Sequence, residues 1–139
     1  MGAWDETVFG NDSAADVAGE ISELTTYAEV VDCLQASLDA ILTNIEYLDS
    51  HDVSTAVAAA ALVAAWDRPE LLPKTSYVPA SWPPFSQPLP ADLRAKAAQA
   101  IDRALMPDRE VNEFFYLWDE ANAWEAVVAD IQRFRTALA

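Results

Sequence analysis

The side chains in this sequence that could do chemistry are few: one histidine, one cysteine and 23 carboxylates. His51 stands between Asp49 and Asp52, with Glu46 upstream. One imidazole among carboxylates could act as a general base or a metal ligand. Helix-borne metal signatures need two or more ligands on one face, and neither Glu-x-x-His nor His-Glu-x-x-His occurs. A solvated loop histidine beside a helix cap is therefore expected. Cys33 has no second cysteine and no base near it in sequence, which predicts a buried or half-buried thiol. Nucleophile elbows, phosphate-cradling glycine loops and dinucleotide fingerprints are missing. The motifs thus predict no catalytic residue, no cofactor and no metal ligand.

The carboxylates say more through their distribution. Residues 1–67 carry 13 of them and no Lys or Arg, whereas residues 68–139 carry 10 together with all 8 cations. The net charge of −15 therefore comes almost wholly from the first half. A field of that sign repels nucleic acid and anionic membranes and attracts basic proteins or cations. Asp12, Asp16, Glu20 and Glu23 recur at helical spacing, and Glu29, Asp32 and Asp39 follow on the next helical stretch. No cation four residues away offsets any of them, and like-charge neighbours cost about 0.2–0.5 kcal/mol per pair. Mixed charge would give solubility without that cost. These seven residues are therefore expected to engage a basic protein partner. An alternative is an oxygen-only Ca²⁺ or Mg²⁺ site between the two helices, although no twelve-residue calcium loop is present.

Helices must position these groups. Val53 to Trp66 carries no charge and is apolar at every position from Ala56 onward. A helix apolar all round is buried all round, and 11 unbroken apolar residues fall short of the roughly 20 that span a bilayer. Alanine is the best helix former and lets neighbours approach closely. The prediction is an all-α single domain over 1–139, with five to six helices around this alanine-rich centre (about 50–66). Capping signals (Asn11, Asp12 or Ser13; Thr26 with Glu29; Asp49; Pro107 with Asp108), a break or kink at Asn122 and apolar periodicity place helices at Ser13–Leu24, Tyr27–Thr43, a stretch opened by Asp49, Ala91–Met106, Arg109–Asp119 and Trp124–Leu138. The second of these has Val30, Val31, Leu34, Leu38, Ile41, Leu42 and Ile45 on its apolar side. Residues 1–12 form an arm anchored by Trp4 and Phe9. Residues 67–90 hold seven of the eight prolines and read as a strap over the helices. Trp4 and Trp82, on non-helical segments, are expected to be partly exposed. A pocket beneath the strap, lined by His51, Trp66, Tyr77 and Trp82, is the alternative site for a small ligand or substrate.

One cysteine and a start without a basic or strongly apolar leader predict a cytoplasmic protein. Met1-Gly2-Ala3-Trp4, then Phe9, then Asn11-Asp12 opening a helix, resembles the start of a bacterial family catalogued as domain of unknown function 4259. Tyr47-Leu48-Asp49 before a helix ending in LVAAW, Leu89-Pro90-Ala91-Asp92-Leu93, and Leu117-Trp118-Asp119-Glu120 with Trp124 extend the likeness over the whole chain. The resemblance implies a small helical fold and no assigned activity. The expected function is a non-catalytic acidic protein-binding module, of the immunity or inhibitor type, facing a basic partner. Neither the oligomeric state nor the partner follows from the sequence.

Overall fold

The computed structural model describes residues 3–43 and 46–139 as an all-α domain. Its six helices are α1 (Asp12–Ser22), α2 (Tyr27–Leu42), α3 (Ser50–Asp67), α4 (Ala91–Ala104), α5 (Glu113–Glu120) and α6 (Trp124–Ala137). Helix α3 is the shaft. Val53 and every residue from Ala56 to Trp66 are buried, because α1, α2, α4 and α6 pack around it and α5 adds a shorter contact. Alanine side chains on nearly every turn permit that many neighbours. Large residues fill the outer ring: Leu34, Leu38 and Ile41 of α2, Leu93 and Ile101 of α4, and Ile131 and Phe134 of α6 are fully or almost fully buried.

Two caps are as expected. The Thr26 hydroxyl accepts from the Glu29 amide while the Glu29 carboxylate accepts from the Thr26 amide, the reciprocal box that opens α2. Asp49 accepts from the amides of His51 and Asp52 and opens α3. Helix α2 stops at Leu42, so Glu46 lies beyond it; Ile45 lies outside the described residues, as do Met1 and Gly2. Asn122, expected as a break, takes φ 57° and separates α5 from α6.

Two starts differ from the sequence expectation. Helix α1 is capped by Asn11, the first of the three expected candidates, and so begins at Asp12 instead of Ser13, because the arm folds back and pairs Ala3 with Asn11. That pairing holds Asn11 extended, and its side chain then accepts from the Ala14 amide and donates to the Val8 carbonyl. Helix α5 begins at Glu113 instead of Arg109. Leu48 bridges to this segment, its amide donating to the Val111 carbonyl and its carbonyl accepting from Glu113, which keeps the preceding residues non-helical. Asn112 then caps α5.

The strap holds one 3₁₀ turn at Pro69–Leu71 and is otherwise irregular. It is pinned over α3 by aromatic side chains. The Trp82 indole N–H donates to the Leu62 carbonyl, Trp66 donates to the Gln87 carbonyl, and the Tyr27 hydroxyl donates to the Pro88 carbonyl. Trp82 packs edge-on against Trp66, 5.3 Å between ring centres. Trp82 is therefore buried, against the expectation of partial exposure. Trp4 is half-exposed as expected, tilted against Tyr77 of the strap. Phe9 anchors the arm as expected, and Val8 takes the place of Trp4 as the second anchor; both are buried, with Phe9 edge-on to Phe134 of α6 and the Val8 amide bound to the Asp130 carboxylate.

Candidate functional site

The acidic residues of α1 and α2 occupy exposed positions for a simple reason: the opposite sides of both helices are spent on α3. Ala14, Val17, Ala18 and Ile21 face inward from α1, and Val30, Leu34, Leu38 and Ile41 from α2. Asp12, Asp16, Glu20, Glu23 and Asp32 stay exposed, and among the described residues no ion pair reaches any of them. Five of the eight cations pair with carboxylates outside α1 and α2. Arg68 pairs with Glu70, Arg94 with Asp67, Arg109 with Asp119 and Glu120, Arg133 with Asp130, and Arg135 with Asp102.

Two of the seven expected residues differ from the rest. Asp39 is half-buried and bonds Lys96 of α4 at 3.0 Å, so its charge is neutralised by a helix distant in sequence. Glu29 is exposed, but its carboxylate is engaged in the cap, and the Thr26 hydroxyl with the backbone amides beside it holds its pKa below the usual value. Glu20 lies within electrostatic reach of Cys33 on α2. Burial first, and Glu20 second, push the Cys33 thiol up to about 11. The α1 stripe thus borders α2. Among the described residues, no three His, Cys, Asp or Glu side chains converge as a metal site would require.

The four residues expected to share a pocket under the strap do not do so. Trp66 and Trp82 are core residues with their indole N–H groups satisfied, and Tyr77 sits outside on Trp4. His51 lies at the other end of α3, 15 residues before Trp66, which is roughly 22 Å along a helix. There it opens on a different cleft, of about 310 Å³, where the N-termini of α1, α3 and α5 meet. Asn11 caps α1 and Ser13 comes from it, Ser50, His51 and Ser54 come from α3, and Glu113, Phe114, Leu117 and Trp118 from α5.

Ser13 Oγ lies 2.7 Å from His51 Nδ1 in this cleft. The Glu113 carboxylate accepts from the Ser50 amide at 2.8 Å, tying α5 to the start of α3. Tyr47 lies near the same carboxylate; desolvation, then the charges of Glu113 and Asp49, raise its pKa. Sequence reasoning placed His51 beside the Asp49 cap but in a loop, whereas it is the second residue of α3, and it missed Ser13 as its partner. Nothing in a separation of 38 residues signals that contact.

No helix among the described residues is long and apolar enough to cross a membrane. One family model, described as Domain of unknown function (DUF4259), matches residues 2–130. No curated protein matches the chain. No solved structure matches it either.

Proposed function

The chain belongs to the DUF4259 family, and from that premise we propose that it is a docking module whose α1–α2 face engages a basic protein. The observation that carries this reading is the row Asp12, Asp16, Glu20 and Glu23, with Asp32 on α2, exposed and, among the described residues, without a paired cation. Each such residue adds repulsion to a chain already at −15. A basic partner converts that repulsion into attraction and gains speed of encounter, since complementary fields raise association rates well above those of neutral surfaces. Carboxylates in a row can also stand in for phosphates. The partner class is therefore a nucleic-acid-binding enzyme or toxin, and the role is that of an inhibitor or immunity protein acting in the reducing cytoplasm.

The test is affinity capture from the native host with the intact chain, beside a variant carrying D16N, E20Q, E23Q and D32N. The reading expects a protein of high isoelectric point on the native chain, released by about 0.5 M salt and absent from the variant. Capture of no basic protein, or equal capture by both chains, refutes it.

A further inference from the structure

Ser13 and His51 meet inside a cleft, and the chain has no other histidine. We propose that they form a nucleophile–base dyad that hydrolyses small carboxylic esters, an activity separate from the acidic face. The Oγ–Nδ1 separation of 2.7 Å is within the reach over which a general base takes a proton from a hydroxyl. Both partners are fixed by helix starts. Ser13 is the second residue of α1 and His51 the second of α3, the latter with its amide bound to Asp49.

The surroundings suit acyl transfer. The amide of Ser13 has no acceptor within its helix, because the first turn of an α-helix has no carbonyl four residues back. The Ala14 amide next to it is already taken by Asn11. An N–H at a helix start, aided by the helix dipole, is where negative charge on oxygen is stabilised. Phe114, Leu117 and Trp118 of α5 give the cleft an apolar wall for an acyl chain, and about 310 Å³ limits that chain to a short one. The Asp49 carboxylate is bound to backbone amides, so the pair works without a third member.

With its proton on Nε2, His51 presents the Nδ1 lone pair to Ser13. Oγ attacks the ester carbonyl carbon and its proton passes to Nδ1. The carbon–oxygen bond to the alcohol then breaks, and the alcohol leaves with that proton. Water attacks the acyl group on Ser13 and gives a proton to Nδ1. The bond from Oγ to the acyl carbon breaks, Oγ takes the proton back, and the carboxylic acid departs.

The experiment treats the intact chain with a fluorophosphonate reagent, maps the modified peptide, and follows p-nitrophenyl acetate hydrolysis. One label on Ser13 and release of p-nitrophenol are expected, both abolished in S13A. The variant H51N keeps a side-chain amide where Nδ1 stood, so it preserves the tether to Ser13 but cannot take a proton. It should keep the native circular dichroism and melting temperature while labelling and turnover fall by at least about 100-fold. S86A, at an exposed strap serine outside the cleft lining, should label normally. An unlabelled native chain, a label on another serine, or undiminished labelling in H51N overturns the proposal. These outcomes are independent of whether a basic protein binds the acidic face.

Discussion

Replacing Asn112 by Ala should destabilise the fold by about 3 kcal/mol. Its side chain is fully buried and makes hydrogen bonds in both directions. The amide nitrogen donates to the Ala104 and Met106 carbonyls, each at 2.9 Å, while the oxygen accepts from the Phe115 amide at 3.3 Å. Each bond contributes about 1 kcal/mol net, and a buried carbonyl left without a donor costs about 1–3 kcal/mol. Alanine abolishes the α5 cap and leaves the Ala104 carbonyl at the end of α4 without this donor, while the Met106 carbonyl keeps the Asp108 amide. At roughly 2.1 cal/mol/K of unfolding entropy per residue, 139 residues convert 3 kcal/mol into a fall of about 10 °C in melting temperature. N112D sharpens the test: it keeps an acceptor for Phe115 but turns a carboxylate toward two carbonyls, so it should be at least as damaging as alanine. Urea titration followed by circular dichroism gives the free energies, provided the slope m is unchanged. A loss below about 0.5 kcal/mol in N112A would refute the view that this side chain sets where α5 begins.

Other perturbations address the strap, the shaft, the acidic stripe and the thiol. W82A empties a buried site between the strap and α3 and should cost about 3–5 kcal/mol, whereas W82F, which mainly loses the bond to Leu62, should cost much less; equal costs would contradict the packing described. A60L forces three extra carbons against α3's neighbours and should cost about 1–3 kcal/mol by the same denaturation assay. Glu23 sits at the C-cap of α1, the negative end of the helix dipole, so E23K should raise stability by about 0.3–1 kcal/mol; a stabilising replacement of this kind marks a residue not optimised for folding. The Cys33 thiol, raised to about 11, should react slowly with iodoacetamide at pH 8 and accelerate as pH approaches 11. Because its folded pKa exceeds the ordinary 9.0, its contribution to stability is present below pH 9 and is lost as pH rises through 11.

Local chemistry made much of the fold legible. The apolar run ending at Trp66 could only be buried, and Thr26 with Glu29, Asp49 and Asn122 act through neighbours within a few residues. What escaped the sequence depends on contacts between distant segments. Asn112 outcompetes Asp108 as the α5 cap because its amide finds carbonyls at the end of α4 and Leu48 bridges to Val111 and Glu113. Trp82 is buried because the Leu62 carbonyl and the Trp66 ring receive it, which a proline-rich stretch does not announce. Asp39 belongs to the acidic pattern by spacing and leaves it by meeting Lys96. The pairing of Ser13 with His51 likewise exists only once two helix starts have been packed side by side.

Asp16, Glu20, Glu23 and Asp32, exposed on α1 and α2, are proposed to attract a basic protein. The most direct measurement is the association rate of the captured partner, by stopped flow, at 0.05 and 0.5 M salt. The account predicts a fall of at least about tenfold for the native chain. It also predicts a slow, nearly salt-independent rate for the chain carrying D16N, E20Q, E23Q and D32N. Equal rates for the two chains, unmoved by salt, would contradict it.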